Sequence, residues 1–258
     1  EVQGVGDIPV RKVPCRINSI SYPTDDVAVL RLQLPAGERF QFLAGQYLEF
    51  LLKDNKRRAY SIASAPHEDG PLELHIRHLA GGLFTDLLFG QSKDGKQLKE
   101  KDILRFEGPL GSFFLREDNQ KPIILLASGT GFAPIKAMLL HIREKKIDRQ
   151  IHFYWGGRRP KDLYMNELCE EFAQTIKGFQ YIPVVSDALP EDHWKGRTGF
   201  VHRAVMADFP DLSAHQVYAC GAPIVIQSAQ TDFVRECRLP EDEFFADSFT
   251  SEADLASA

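Results

Sequence analysis

PIILLASGTGFAP, residues 122–134, decides the fold. It opens on a continuous apolar run, the pattern of a strand buried on both faces of a parallel sheet. SGTG follows with no spacer, and Pro134 suits the first turn of a helix. A strand, a glycine turn and a helix start in direct succession present backbone amides and a helix N-terminus to a phosphate. GTG alone is also an ordinary tight turn between strand and helix. The flanking strand and Pro134 favour the phosphate cradle, with Gly129, Thr130, Gly131 and Pro134 as its residues.

The same rhythm continues downstream. Strands are expected at residues 151–155, 180–185 and 216–220, and helices at 134–146, 165–176, 201–208 and 223–237. Strands alternating with helices predict a doubly wound parallel sheet. Upstream the text differs. Period-two alternation marks strands at 16–21, 27–34, 46–52, 72–77 and 103–107, with one short helical segment at 83–89. That set predicts an antiparallel β-barrel or sandwich. The polar stretch REDNQK, residues 116–121, is the expected boundary. The predicted organisation is a linker or tail at 1–14, a barrel domain at 15–116, an α/β domain at 117–250 and a flexible tail at 251–258.

Composition narrows the function. The 258 residues hold 31 Lys+Arg against 36 Asp+Glu, a formal charge of −5 with no basic stripe, which argues against a nucleic-acid partner. Hydrophobic residues make up 43%, enough to build cores. Cys15, Cys169, Cys220 and Cys237 form no CxxC pair. Their spacing matches no iron–sulfur pattern, disfavours a thiolate zinc site and makes a disulfide framework improbable, so a reducing cytoplasm is expected. No apolar run approaches the roughly 20 residues of a spanning helix. The leading EVQGVGDIPV has no secretory pattern and no initiator Met, so the chain is expected to begin inside a longer product.

Three further motifs carry chemistry. Arg58-Ala59-Tyr60-Ser61 places a guanidinium and an aromatic ring on one strand face and a hydroxyl on the other or at the strand end. The set suits a planar ring bearing a pyrophosphate, and it also suits a half-exposed β surface. Gly81-Gly82-Leu83-Phe84-Thr85 offers amides and a hydroxyl to an anion, or a capped turn. Cys220-Gly221-Ala222-Pro223 puts a thiol where open α/β sheets bind ligands. A buried structural thiol is the alternative.

In this order, RxYS, GGxFT, GTGxxP and CGxP resemble the motifs of the ferredoxin–NADP reductase family, over nearly the whole chain. The likeness is greatest to the reductase portions of CDP-6-deoxy-glucoseen reductases and oxygenase reductases. The resemblance implies an FAD-binding barrel and an NAD(P)-binding domain. It implies Arg58 on the flavin pyrophosphate, Tyr60 stacked on the isoalloxazine and Ser61 near N5. Ile76 and Arg77 would form a second flavin segment, and Gly82, Leu83 and Thr85 would hold the diphosphate. His75 in that segment is expected to be a plain strand residue. Cys220 would orient the nicotinamide, with Gly221 and Pro223 shaping its turn. Within EFFADSF, residues 243–249, Phe245 would cover the flavin and Asp247 would be the polar partner of Cys220 and Ser61; a final sheet strand packing its aromatics is the alternative.

Asp187, at a strand end, would repel a 2′-phosphate and accept ribose hydroxyls. Arg158 argues the other way, and NADH is favoured over NADPH. The implied reaction passes a hydride from NADH to FAD and then single electrons to an iron–sulfur acceptor. That acceptor would be a ferredoxin module, for which residues 1–14 resemble the following linker, or a separate protein. A free-flavin reductase and a nucleotide-binding redox-sensing subunit are the alternative functions.

Overall fold

Alternation along β5 (Leu72–Arg77) shows how the first half of the chain folds. Leu72, Leu74 and Ile76 point into an apolar core with Ile17, Leu30, Leu48, Phe50 and Phe106. Glu73, His75 and Arg77 take the opposite face, as a period of two requires. The computed structural model describes residues 8–249. The expected tail and the first seven residues of the expected linker lie outside the described residues. Residues 11–14, expected as linker, instead open the long strand β1 (Arg11–Thr24) and pair with β6 (Ile103–Leu110). The alternation of Val13, Cys15 and Ile17 into the core overrides the polar look of that stretch.

β2 (Val27–Gln33), β3 (Tyr47–Leu51) and β4 (Arg57–Ser61) complete an antiparallel six-stranded sheet of order β4-β3-β6-β1-β2-β5. An Ile62↔Leu74 bridge and the Ala63 N–H to Glu73 C=O bond (2.7 Å) join its two ends into a barrel. Helix α1 (Leu83–Leu88) plugs it through Phe84 and Leu88.

The second half is a six-stranded parallel sheet of order β10-β9-β8-β7-β11-β12. Its strands are β7 (Ile123–Ser128), β8 (Ile151–Gly157), β9 (Phe179–Val185), β10 (Arg197–Thr198), β11 (Gln216–Gly221) and β12 (Phe244–Ser248). Helices α2 (Phe132–Lys145) and α3 (Asn166–Thr175) lie on the face of Phe153, Trp155 and Tyr181. Helices α4 (Val201–Asp208) and α5 (Pro223–Glu236) pack on Ile124, Leu126, Tyr154 and Val217. The chain runs outward from β7 to β10 and returns to β11, on the other side of β7. That reversal is the topological switch point where such sheets bind ligands.

One compact unit holds the described residues up to Phe114 with Lys136–His141; the other holds Leu115–Ile135 and the described residues from Ile142 onward. The antiparallel barrel and the doubly wound sheet are the two folds expected.

Candidate functional site

In the first unit, β4 pairs with β3 so that Tyr60 lies opposite Leu48 and Arg58 opposite Phe50. Directly opposed residues share a face, so both side chains turn toward the core side. The Tyr60 ring, half-buried, lies 5.9 Å from Phe50 and 5.6 Å from Phe84. Ser61 takes the other face. Its Oγ is buried and has no hydrogen-bond partner among the described residues. A buried hydroxyl left unpaired is costly, so it marks a position for a ligand atom. Past the Ile62↔Leu74 bridge no ladder bond joins Ile76 or Arg77 to β4, and the two strands part. Arg58, Tyr60 and Ser61 thus stand on one strand and Ile76 and Arg77 on the other.

Two expectations change here. The Ile76 side chain is in the core at 1% exposure, so only its backbone can reach a ligand. The Thr85 hydroxyl is committed to its own turn, donating to Leu79 O (2.9 Å) and accepting from Leu79 N (3.2 Å). Gly82 N–H is also used, on Leu79 O. The donors left are the amides of Leu83, Phe84 and Thr85, which precede the first bonded turn of α1 at Asp86 N–Gly82 O. Beside them Gly81 N–H and His78 both bind Asp86.

In the second unit, the GTG turn after β7 and the CGAP turn after β11 flank the switch point. Gly129–Gly131 is one turn of 3-10 helix, with Thr130 buried and Gly129 C=O accepting Trp155 Nε1 at 3.0 Å. Pro134 follows in the first turn of α2. Cys220 pairs in register with Ala127 on β7 and Asp247 on β12. Burial, reinforced by the charge of Asp247, pushes the Cys220 thiol well above its ordinary pKa. It is a protonated, wholly buried thiol and a poor nucleophile. Gly221 takes φ +136, and Pro223 occupies the first turn of α5.

Phe245 is placed otherwise than expected. Its ring stacks on Tyr218 (4.9 Å, 22°) under the Arg116 guanidinium (4.7 Å), within this unit. In the final strand β12 it serves as a packing aromatic, the alternative named for this segment. Arg158 and Asp187 come together at the ends of β8 and β9, joined by an exposed ion pair at 3.2 Å and by Asp187 N–H on Arg158 C=O.

A cleft of about 430 Å³ opens where β10 and β11 lead into α4 and α5. Phe200 and Ile224 flank it, 69% and 70% exposed, and His202, Arg203, Ser228 and Asp232 line it further. Sequence reading missed both. An apolar residue just before or just inside a helix looks like a packing staple, and only exposure distinguishes it. No group of three or more metal-ligating side chains occurs among the described residues.

The comparisons agree with this geometry. Residues 14–115 match the oxidoreductase FAD-binding domain and residues 125–231 the oxidoreductase NAD-binding domain. The chain belongs to the ferredoxin reductase-like family of NAD(P)H-dependent flavin oxidoreductases. It is 43% identical to the CDP-6-deoxy-L-threo-D-glycero-4-hexulose-3-dehydrase reductase of Yersinia pseudotuberculosis, over 94% of this chain and 70% of that protein. It is 37% identical to reductase component 1 of terephthalate 1,2-dioxygenase from a Comamonas species, over 93% and 69%. The cytochrome P450 reductase GcoB of Amycolatopsis superposes with a TM-score of 0.83 at 30% identity, over 94% of this chain and 71% of that one. No helix among the described residues is long and apolar enough to cross a membrane.

Proposed function

We propose that this reductase takes electrons from NADH onto FAD and delivers them singly to an iron–sulfur protein. The buried, unpartnered Ser61 hydroxyl carries the flavin assignment, because it is a hydrogen-bonding position that the protein itself does not fill. When bound, the flavin supplies the conversion of a two-electron donor to one-electron delivery. Arg58 pairs the diphosphate, Tyr60 bounds one face of the ring system, and Ser61 hydrogen-bonds at the N5 edge. The Leu83–Thr85 amides neutralise the diphosphate further. Ile76 contributes backbone only, and Arg77 lies at the mouth.

In the second unit the GTG turn and the start of α2 hold the dinucleotide diphosphate. The cleft between Phe200 and Ile224 receives its adenine. Cys220, wholly buried, shapes the turn against which the nicotinamide rests, its thiol kept neutral chiefly by burial with Asp247 beside it. Asp187 sets the preference for NADH, since a carboxylate repels a 2′-phosphate and Arg158 is already engaged by it. Relatives that serve as reductase components of a dehydrase and a dioxygenase support a protein acceptor. The buried thiols suit a reducing cytoplasm.

Purified protein should retain FAD through gel filtration, and anaerobic NADH should bleach its yellow bands. A reduced [2Fe–2S] protein should then accumulate when such an acceptor is added. Protein that loses flavin on the column yet oxidises NADH with added riboflavin would sink the electron-transfer reading.

A further inference from the structure

The GTG and CGAP turns interlock through Ser128. Ser128 Oγ accepts the Ala222 N–H at 2.9 Å, across from the end of β7 to the residue that caps α5. The packing is tight in both directions. A Cβ on Gly131 would stand 2.1 Å from the Cys220 carbonyl oxygen, and one on Gly221 would stand 2.2 Å from Ser128 Oγ. Real Cβ atoms do not approach so closely, so the neighbouring turn requires these two glycines whatever ligand the turns hold. Gly221, at φ +136, also accepts the Phe249 N–H on its carbonyl at 2.8 Å.

We propose that Ser128 is a positioning residue for the reductase reaction, acting through Ala222 and Gly221 to fix the turn that carries Cys220. The inference rests on the proposed function for its kinetic consequences. The contact itself stands on the geometry alone. The backbone of residues 220–222 is anchored by register with Ala127 on β7 and with Asp247 and Ser248 on β12, by the Phe249 N–H on Gly221 O, by the fit of Gly131 against Cys220, and by the Ser128 hydroxyl. Only the last is a side-chain hydrogen bond that one substitution removes without adding bulk. The backbone groups it restrains lead directly into the first turn of α5. A small displacement there changes the approach of the nicotinamide, while Ile226, Ala229 and Phe233 keep α5 seated on the sheet and with it the adenosine cleft at Phe200 and Ile224. Positional errors of this kind are felt in the chemical step before they are felt in binding.

The test uses the FAD-loaded protein with Ser128→Ala and Ser128→Thr. Loss of one hydrogen bond should lower kcat for NADH–ferricyanide turnover about 5- to 10-fold in S128A, with S128T within about twofold of wild type. NADH deuterated at both C4 positions should give a larger isotope effect on kcat in S128A, because transfer becomes more rate-limiting. ADP-ribose, which lacks the nicotinamide, should bind both variants within about twofold of wild type. Hydrogen exchange at Ala222 should accelerate in S128A alone. Unchanged kcat and isotope effect in S128A overturn the proposal, as does unchanged exchange at Ala222. An ADP-ribose affinity that falls in step with kcat also overturns it, by making Ser128 a general folding residue. A wild-type protein that never oxidises NADH removes the reductase reading and the positioning role together, while the exchange measurement still reports the interlock.

Discussion

Arg149→Met should unfold the second unit far more easily, although Arg149 lies outside the dinucleotide motifs. Arg149 is 3% exposed between α2 and β8. Its Nε donates to Lys121 O and its Nη1 to Arg116 O, each at 2.8 Å. Nη2 donates to Gln216 Oε1 at 2.8 Å and to Asn119 Oδ1 at 3.2 Å. The fork therefore ties residues 116–121 to the start of β11. Gln216 and Tyr218 continue the network, and Tyr218 Oη accepts Arg116 N–H at 2.9 Å. Burial pulls the Arg149 pKa below its ordinary value, but not far enough to discharge a guanidinium. A charged donor to a neutral acceptor contributes about 1.5–3 kcal/mol, and water entering the site recovers part of this, leaving a loss of about 3–5 kcal/mol. Over the roughly 130 described residues of the unit, an unfolding entropy of about 0.3 kcal/mol/K converts this to a fall in Tm of about 10–17 °C. Calorimetry with Arg149→Lys alongside is the assay, because an ammonium cannot reproduce a four-acceptor fork. Trypsin should also cut faster after Arg116. A fall below about 3 °C in R149M would refute the reasoning.

Ser61→Ala removes a hydroxyl with no protein partner, so Tm of the flavin-free protein should not fall, while stopped-flow flavin reduction by NADH should slow about tenfold or more. Asp187→Arg breaks an exposed ion pair of little stability value and should move the NADPH-to-NADH ratio of kcat/KM up by about tenfold, the worth of one charge-assisted contact to phosphate. Phe200→Ala should raise KM for NADH about 5- to 50-fold with kcat within about twofold, as lost base stacking predicts. In the first unit, burial holds His75 below its ordinary pKa of 6.5 despite its bond to Glu73. Burial opposes ionisation of Glu73, but His75 and Lys136, with Arg31 on its other oxygen, hold it well below 4.5. For both groups the unfolded chain binds the proton first. Stability should therefore fall as pH drops below about 6.5 and again below about 4.5, by at most about 1.4 kcal/mol per pH unit per group. His75→Gln should flatten the upper limb in urea melts at stepped pH; an unaltered slope would count against the assignment.

Much of the architecture was legible along the chain because it rests on local rules. PIILLA followed by GTG and Pro134 specifies a buried strand, a turn and a helix, and β7, the GTG turn and α2 follow that order. Period two placed Arg58 and Tyr60 on one face and Ser61 on the other. Charge and spacing singled out Asp187, Arg158 and Cys220, and each stands at the carboxyl end of a parallel strand or just beyond it. Where expectation and structure part, the deciding contact joins residues far apart in sequence. Residues 11–14 looked like a linker until β6 paired with them. Phe245 looked available until Tyr218 and Arg116 enclosed it. Thr85 looked like a phosphate ligand until its hydroxyl closed on Leu79.

The sequence by itself determined the two fold types, the order of the binding turns and the chemistry each can offer, because hydrophobic period, glycine and proline act over a few residues. Tertiary structure decided which of those groups remain available. It left the Ser61 hydroxyl without a partner, buried the Cys220 thiol in its neutral form and paired Arg158 with Asp187. It also gave Gly131 and Gly221 a packing reason distinct from the phosphate role that their motifs imply. Hydrogen bonding and burial are set by neighbours across strands, and strand order is a property of the whole chain. Arg149, a charged residue in an unremarked loop, is the extreme case: its weight comes from four acceptors on two distant segments that only the folded sheet assembles.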